Sequence, residues 1–187
     1  MGTIPDHGTY LFVSNHRSFY DPLAFLSRII ANPVSKAEIS SYPIIGWGSN
    51  LTEVILVDRS NRQQRGITKK LITESLINGS SILIYPEGTT SDLEYTRDFK
   101  IGSFSSAIEA KVPVIPVSIE YKDEDEYWTE RSLYKQFVQH FSPTGKTDIY
   151  MFIGNPIIGD DPKELLKETR NKIEKQIEKL RDYRNKS

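Results

Sequence analysis

Short apolar runs rich in Ile, Val, Phe and Tyr recur along this chain, and stretches of helical spacing lie between them. That alternation admits few folds. Strands joined through helices pair side by side in parallel, and the helices cover the faces of the sheet. Strands are predicted over residues 10–14, 34–37, 53–57, 81–85, 112–119 and 148–153, bounded by Gly, Pro, Asn or Asp. Helices are predicted over 22–31, 62–78, 102–110 and 162–183. Asp21-Pro22 reads as a helix start, with Asp21 as the cap and Pro22 in the first helical position. Gly79 reads as a stop. In the last helix Leu165, Leu166, Thr169, Ile173, Ile177 and Leu180 recur every three or four residues. Such a stripe fits a face packed on the domain better than a helix lying on a membrane. The expected architecture is α/β: a single domain over 1–187 with a largely parallel β-sheet flanked by helices. Segment 121–147 is the least regular. Tyr127, Trp128, Leu133, Tyr134, Phe137, Val138 and Phe141 there fit either an amphipathic cover over the site or a solvated connection, and the second is taken. Pro113 and Pro116 are read as marking a sheet edge or a strand end.

Composition removes several chemistries. The 187 residues include no cysteine, which excludes disulfides, thiolate nucleophiles and cysteine zinc sites. The three histidines, His7, His16 and His140, form no HExxH-type pair. A formal net charge of -1 gives no global attraction to nucleic acid or anionic lipid. No stretch reaches the roughly 18 apolar residues of a membrane span, and the first residues lack the layout of a secretory signal. A cytoplasmic protein, soluble or peripheral to a membrane, is the simplest expectation.

Two polar turns carry the chemistry. Asn15-His16-Arg17-Ser18-Phe19-Tyr20-Asp21-Pro22 follows the first predicted strand, and Tyr85-Pro86-Glu87-Gly88-Thr89-Thr90 follows the fourth. Turns at the ends of strands place a site along one edge of the sheet. A neutral imidazole takes a proton from a hydroxyl near pH 7, and a carboxylate on its other nitrogen fixes the tautomer. On one straight helix His16 and Asp21 would point about 140° apart, so the segment must turn for them to meet. The alternative is that Asp21 only caps a helix and His16 only bonds nearby backbone. No G-x-S-x-G elbow is present, which counts against a serine esterase. Arg59 begins a cationic run with Arg62, Arg65, Lys69 and Lys70. Arg59 is read as a guanidinium fork for a phosphate, and most of the others as a solvated helix face.

Taken in order, these segments resemble the glycerolipid acyltransferase family over about residues 10–156. Asn15-His16-x-Ser18-x-x-Asp21 is similar to its first block, and Lys36-x-Glu38 to the pair that follows. Residues 42–47 and then Val57-Asp58-Arg59 resemble the second block. Tyr85-Pro86-Glu87-Gly88-Thr89 resembles the third, followed by Phe99-Lys100-x-Gly102. Residues 112–117 resemble the fourth, and Gly154-x-Pro156 the family's closing turn. The resemblance implies a peripheral enzyme at the inner face of the cell membrane, acting in phospholipid biosynthesis. It would move a fatty acyl group from acyl-CoA or acyl carrier protein to the hydroxyl of a lysophospholipid, foremost 1-acyl-sn-glycerol-3-phosphate to give phosphatidic acid. No cofactor, metal or nucleic acid is implied. His16 and Asp21 would be catalytic; Arg59, Glu87, Gly88, Thr89 and Lys100 would contact substrate. One position departs. Thr90 stands where the family usually has arginine, and it cannot supply a bidentate cation. The acceptor is then alternatively a different lysolipid, such as a lyso-amino-lipid, or the chain is a silent lipid- or phosphate-binding module. Ile44, Ile45 and Trp47 are read either as core or as groups that dock on a membrane.

Overall fold

The computed structural model describes residues 7–36, 54–57, 62–128 and 148–186. The strands are β1 (Leu11–Ser14), β2 (Asn32–Lys36), β3 (Ile55–Val57), β4 (Ile82–Ile84), β5 (Val114–Tyr121) and β6 (Ile149–Ile153). The helices are α1 (Asp21–Leu26), α2 (Arg62–Ile77), α3 (Gly102–Ala110) and α4 (Pro162–Arg184). The sheet runs β3-β2-β4-β1-β5-β6, parallel throughout except for β6, which is antiparallel to β5. The mostly parallel sheet flanked by helices is the one the alternation predicts.

Both faces of the sheet are covered, so β1, β4 and β5 are buried at every position and mostly apolar on both faces rather than on one. Leu11, Val13, Ile82, Ile84 and Val114 pack with Leu76, Phe104, Leu165, Ile173 and Ile177 from α2, α3 and α4. Phe12, Leu83, Tyr85, Ile115, Val117, Ile119 and Tyr121 face the other way, toward Phe25 and Ile29. The terminal helix behaves as its stripe requires. Asp161 caps it, its carboxylate accepting from the amides of Lys163 and Glu164 at 2.8 and 2.9 Å. Leu165, Thr169, Ile173, Ile177 and Leu180 are buried, each large apolar one worth about 1.5–3 kcal/mol. Gln176 joins them because its Oε1 accepts from Ser118 Oγ at 2.7 Å.

The differences from expectation have local causes. α1 ends at Leu26, short of the expected residue 31, and Pro33 holds Asn32 in extended backbone, where β2 starts. Val112 is not in β5; Lys111 is left-handed with φ of 55° and the amide of Val112 closes the end of α3 on the carbonyl of Ala107. Pro116 lies inside β5, between two neighbouring strands, and not at an edge. Its backbone faces β6 at the point where β6 has ended; the antiparallel pairing stops at Val117 and Ile153, and the carbonyl of Pro116 accepts from Gly154 instead. No donor is therefore missed there. The solvated connection is also corrected at its start. Tyr121 completes β5, while Tyr127 and Trp128 are buried. The remainder of that segment lies outside the described residues.

Candidate active site

β1 and β4 are neighbours and parallel, so the turns that follow them emerge side by side at one edge. The first turn is held by its own side chains. Asn15 continues the β1–β5 pairing after β1 ends: its Nδ2 donates to the carbonyl of Ile119 at 2.9 Å, and its Oδ1 accepts from the amide of Ile119 at 2.8 Å. The chain then folds back, and His16 Nδ1 lies 2.8 Å from Asp21 Oδ2. The same Oδ2 accepts from the amides of Arg17 at 2.6 Å and Ser18 at 2.9 Å. Asp21 is therefore not the cap that the sequence suggests. Tyr20 occupies the cap position, and Asp21 is the first helical residue with its carboxylate turned back into the loop.

The second turn closes on the first. Gly88 has φ of 78°, a conformation glycine adopts at little cost, and its amide donates to the carbonyl of Tyr85. Glu87 is buried and spans the two turns, with Oε1 accepting from the amide of His16 at 2.9 Å and Oε2 from the amide of Arg97 at 2.8 Å. Burial pushes the Glu87 carboxyl above its ordinary pKa, against the pull of those two amides. The amide of Ser91 donates to the carbonyl of His16 at 2.8 Å. The ring of Tyr85 stacks on the imidazole, centroids 4.2 Å apart and planes 24° from parallel. Backbone, Nδ1 and one ring face of His16 are thus all engaged. In the tautomer with its proton on Nδ1 the imidazole would donate to the aspartate and carry its lone pair on Nε2; the side chain keeps 17% exposure.

The other candidates separate. Thr89 is exposed. The side chain of Lys100 is exposed too, and its amide donates to the carbonyl of Pro86 at 3.1 Å. Arg59 lies outside the described residues, as do His140, Ile44, Ile45 and Trp47. Lys69 and Lys70 pair with Glu109 and Glu74 on exposed helix surface, as the solvated reading has it. The hydroxyl of Thr90 donates to the carbonyl of Trp128, which ties the second turn to the start of the segment after β5. Among the described residues no group of three His, Asp or Glu is placed to hold a metal ion, and no helix is long and apolar enough to cross a membrane.

Three residues of the site have no role in the sequence reading. Tyr121 donates to Asp21 Oδ1 at 2.7 Å. Arg17 is buried, and its Nη1 donates to the carbonyls of Ser91 and Leu93. Its Nη2 lies 3.6 Å from Glu120, which also meets Arg181 Nε at 3.0 Å. Tyr121 had a faint signal, since it closes the alternation Ile115, Val117, Ile119 with a polar atom. Arg17 and Glu120 had none, because their partners lie tens of residues away.

A histidine backed by a buried carboxylate at the ends of parallel strands is an arrangement chemically able to take a proton from a hydroxyl or water. The Acyltransferase family model matches residues 2–120, and the chain belongs to that family. A lyso-ornithine lipid O-acyltransferase of Pseudomonas aeruginosa is 37% identical over 120 residues, which cover 60% of this chain and 43% of that protein. A 1-acyl-sn-glycerol-3-phosphate acyltransferase of Escherichia coli is 33% identical over 117 residues, 60% of this chain and 47% of that protein. A chloroplastic 1-acyl-sn-glycerol-3-phosphate acyltransferase of Brassica napus is 29% identical over 170 residues, covering 87% of this chain and 45% of its own. The chain spans about half the length of the curated relatives it matches. The crystal structure of the 1-acyl-sn-glycerophosphate acyltransferase PlsC from Thermotoga maritima superposes with a TM-score of 0.70 at 24% identity, over 95% of this chain and 68% of that one, and shows the shared fold.

Proposed function

We propose that this chain transfers a fatty acyl group from a thioester, acyl-CoA or acyl carrier protein, to the hydroxyl of a lysolipid. One observation carries the reading: His16 Nδ1 is 2.8 Å from buried Asp21, and the imidazole keeps 17% exposure. Nε2 takes the acceptor's hydroxyl proton as its oxygen attacks the thioester carbonyl. The tetrahedral intermediate collapses, the carbon–sulfur bond breaks, and the leaving thiolate receives the proton from the imidazolium. The acceptor supplies the nucleophile, so no acyl-enzyme is needed. A base of this kind is worth about two to four orders of magnitude in rate, and holding the two substrates in line supplies much of the remainder. Glu87 borders the base, and Gly88 and Thr89 follow it in the same turn. A carboxylate oxygen has a second lone pair, so Glu87 accepts an acceptor hydroxyl without giving up the amides of His16 and Arg97. Arg59 and Lys100 serve the phosphate of 1-acyl-sn-glycerol-3-phosphate, the foremost acceptor. Because the acceptor sits in a bilayer, the protein works in peripheral contact with one, at its cytoplasmic face.

A second acceptor class is favoured by Thr90. It carries no cation for a phosphate, its hydroxyl is committed to the carbonyl of Trp128, and a relative named for lyso-ornithine lipid shares 37% identity over 120 residues. The test supplies labelled acyl thioester and a panel of phosphorylated and phosphate-free lysolipids in mixed micelles. Acyl transfer is expected, and His16→Ala lowers it at least about a hundredfold. Full activity in that variant refutes the role of His16. Thioester cleavage with no acylated lipid indicates a hydrolase; binding without turnover indicates a silent module. Arg59→Ala is expected to impair a phosphorylated acceptor more than a phosphate-free one, and equal losses refute phosphate recognition by Arg59.

A further inference from the structure

We propose that Tyr121, at the end of β5, is a positioning residue for the base: its hydroxyl holds the Asp21 carboxylate in the one rotation that presents Oδ2 to His16. The inference rests on the proposed role of His16 and assigns a residue that the family blocks quoted above do not include.

A carboxylate has about four acceptor sites shared between two oxygens that exchange by rotation. In Asp21 the sharing is uneven. Oδ2 takes three donors, from His16 Nδ1 and the amides of Arg17 and Ser18. Oδ1 takes the Tyr121 hydroxyl at 2.7 Å. Asp21 is 0% exposed, so water does not replace that hydroxyl if it is lost. A buried anionic oxygen left without a donor is costly. The carboxylate then turns to share the two amides between its oxygens, and the contact with His16 Nδ1 lengthens. Tyr121 suits the task for two reasons. Its phenol stays protonated, since burial and then the charge of Asp21 hold its pKa far above the ordinary value. Its backbone is fixed in the sheet opposite Ile149. Asp21 sits on a different element, so the hydroxyl ties the β1–α1 turn to β5, six residues beyond the tie made by Asn15.

The groups around Asp21 are His16, the Tyr85 phenol and the amides of Arg17 and Ser18, and the Ser18 side chain also faces the Tyr121 hydroxyl; the Arg17 guanidinium faces away toward Ser91, Leu93 and Glu120. Losing Tyr121 therefore acts on His16 through Asp21.

The test is Tyr121→Phe in the full chain. We expect kcat to fall about 10- to 100-fold, with KM for thioester and lysolipid held within about threefold. In an Asp21→Asn background the same change is expected to cost nothing further, because the carboxylate it positions is gone. Nitrogen-15 NMR of the histidines, with His16 assigned by its absence in His16→Ala, gives a readout independent of turnover. At alkaline pH the wild type is expected to hold His16 with the proton on Nδ1, and Tyr121→Phe to shift it toward the Nε2-protonated form. An unchanged tautomer overturns the inference even if kcat drops. An equal loss in the wild-type and Asp21→Asn backgrounds overturns it as well, since that is the mark of a general structural defect. If the wild type transfers no acyl group, the acyltransferase reading fails, and the tautomer measurement still decides the role of Tyr121.

Discussion

Glu120 offers the sharpest quantitative test of how the site is supported. Its carboxylate is 0% exposed and stands between two guanidinium groups, Arg181 at 3.0 Å and Arg17 at 3.6 Å, with the Tyr127 hydroxyl on its other oxygen. The two cations are not equivalent. The Arg181 side chain keeps 19% exposure and that of Arg17 only 2%. A charge pair near 4 Å is worth about 4 kcal/mol at an effective dielectric of about 20, and removing one member of a buried pair costs about 3–5 kcal/mol because the other is stranded. Glu120→Gln strands Arg17, which has no route to water, so a loss of about 3–5 kcal/mol is expected. Against a total stability of about 5–15 kcal/mol this is large, and for a chain of this size it lowers the melting temperature by about 10 °C. Arg181→Met leaves Glu120 with Arg17 and Tyr127, and the lost pair was partly solvated, so about 1–2 kcal/mol is expected. Urea unfolding measures both, with an unchanged m-value confirming that the same surface unfolds. A Glu120→Gln loss below about 1 kcal/mol refutes the reasoning. So does an Arg181→Met loss as large as that of Glu120→Gln.

Two further tests probe the frame. Gly154→Ala would set a Cβ 2.5 Å from Gln176 Nε2 and 2.7 Å from Pro116 Cγ; Gln176 is anchored by Ser118 and cannot retreat, so a loss of about 1–3 kcal/mol is expected in urea unfolding, and an unshifted midpoint refutes the close approach. At high pH, burial holds the Tyr127 pKa at about 12, with the hydrogen bond to Glu120 adding to it, and burial raises Tyr85 and Tyr121 too. The folded phenol keeps a proton that the unfolded chain releases from about pH 10, so stability is full below pH 10 and falls as pH rises toward 12, by about 2–3 kcal/mol from Tyr127 alone. Urea midpoints between pH 9.5 and 11.5 measure the slope, Tyr127→Phe is expected to flatten it, and a slope equal in both proteins refutes the assignment.

The parts of this architecture that are legible in sequence are the local ones. The apolar run Tyr10 to Val13, followed by Ser14-Asn15, marks β1, and the stripe from Leu165 to Leu180 marks α4, because burial writes itself into residue spacing. The His16–Asp21 pair is legible for the same reason: both partners lie in one turn. Glu87 and Gly88 are visible as a polar turn after β4. Sequence order hides whatever the sheet brings together. Asn15 meets Ile119, Asp21 meets Tyr121, and Arg17 meets Ser91 and Glu120, all through the adjacency of β1, β4 and β5. Asp21 shows the cost of a local reading. Its position before Pro22 is that of a cap, yet four donors from the turn and from β5 outbid the helix amides, and the carboxylate faces backward.

That reversal explains why the support of the site is so extensive. If the acceptor brings its own nucleophile, the protein contributes a base and its placement, and a misplacement of about 1 Å costs about a hundredfold in rate. A turn between two secondary-structure elements is a poor platform unless it is tied down. Here it is tied to two neighbouring elements: Asn15 and Asp21 reach β5, while Glu87, Ser91 and Tyr85 reach back from the turn after β4. The amide, carbonyl, Nδ1 and ring face of His16 are each assigned a partner. On the proposed function Nε2 is the atom left to take the proton, and these ties would fix the histidine for a single direction of transfer.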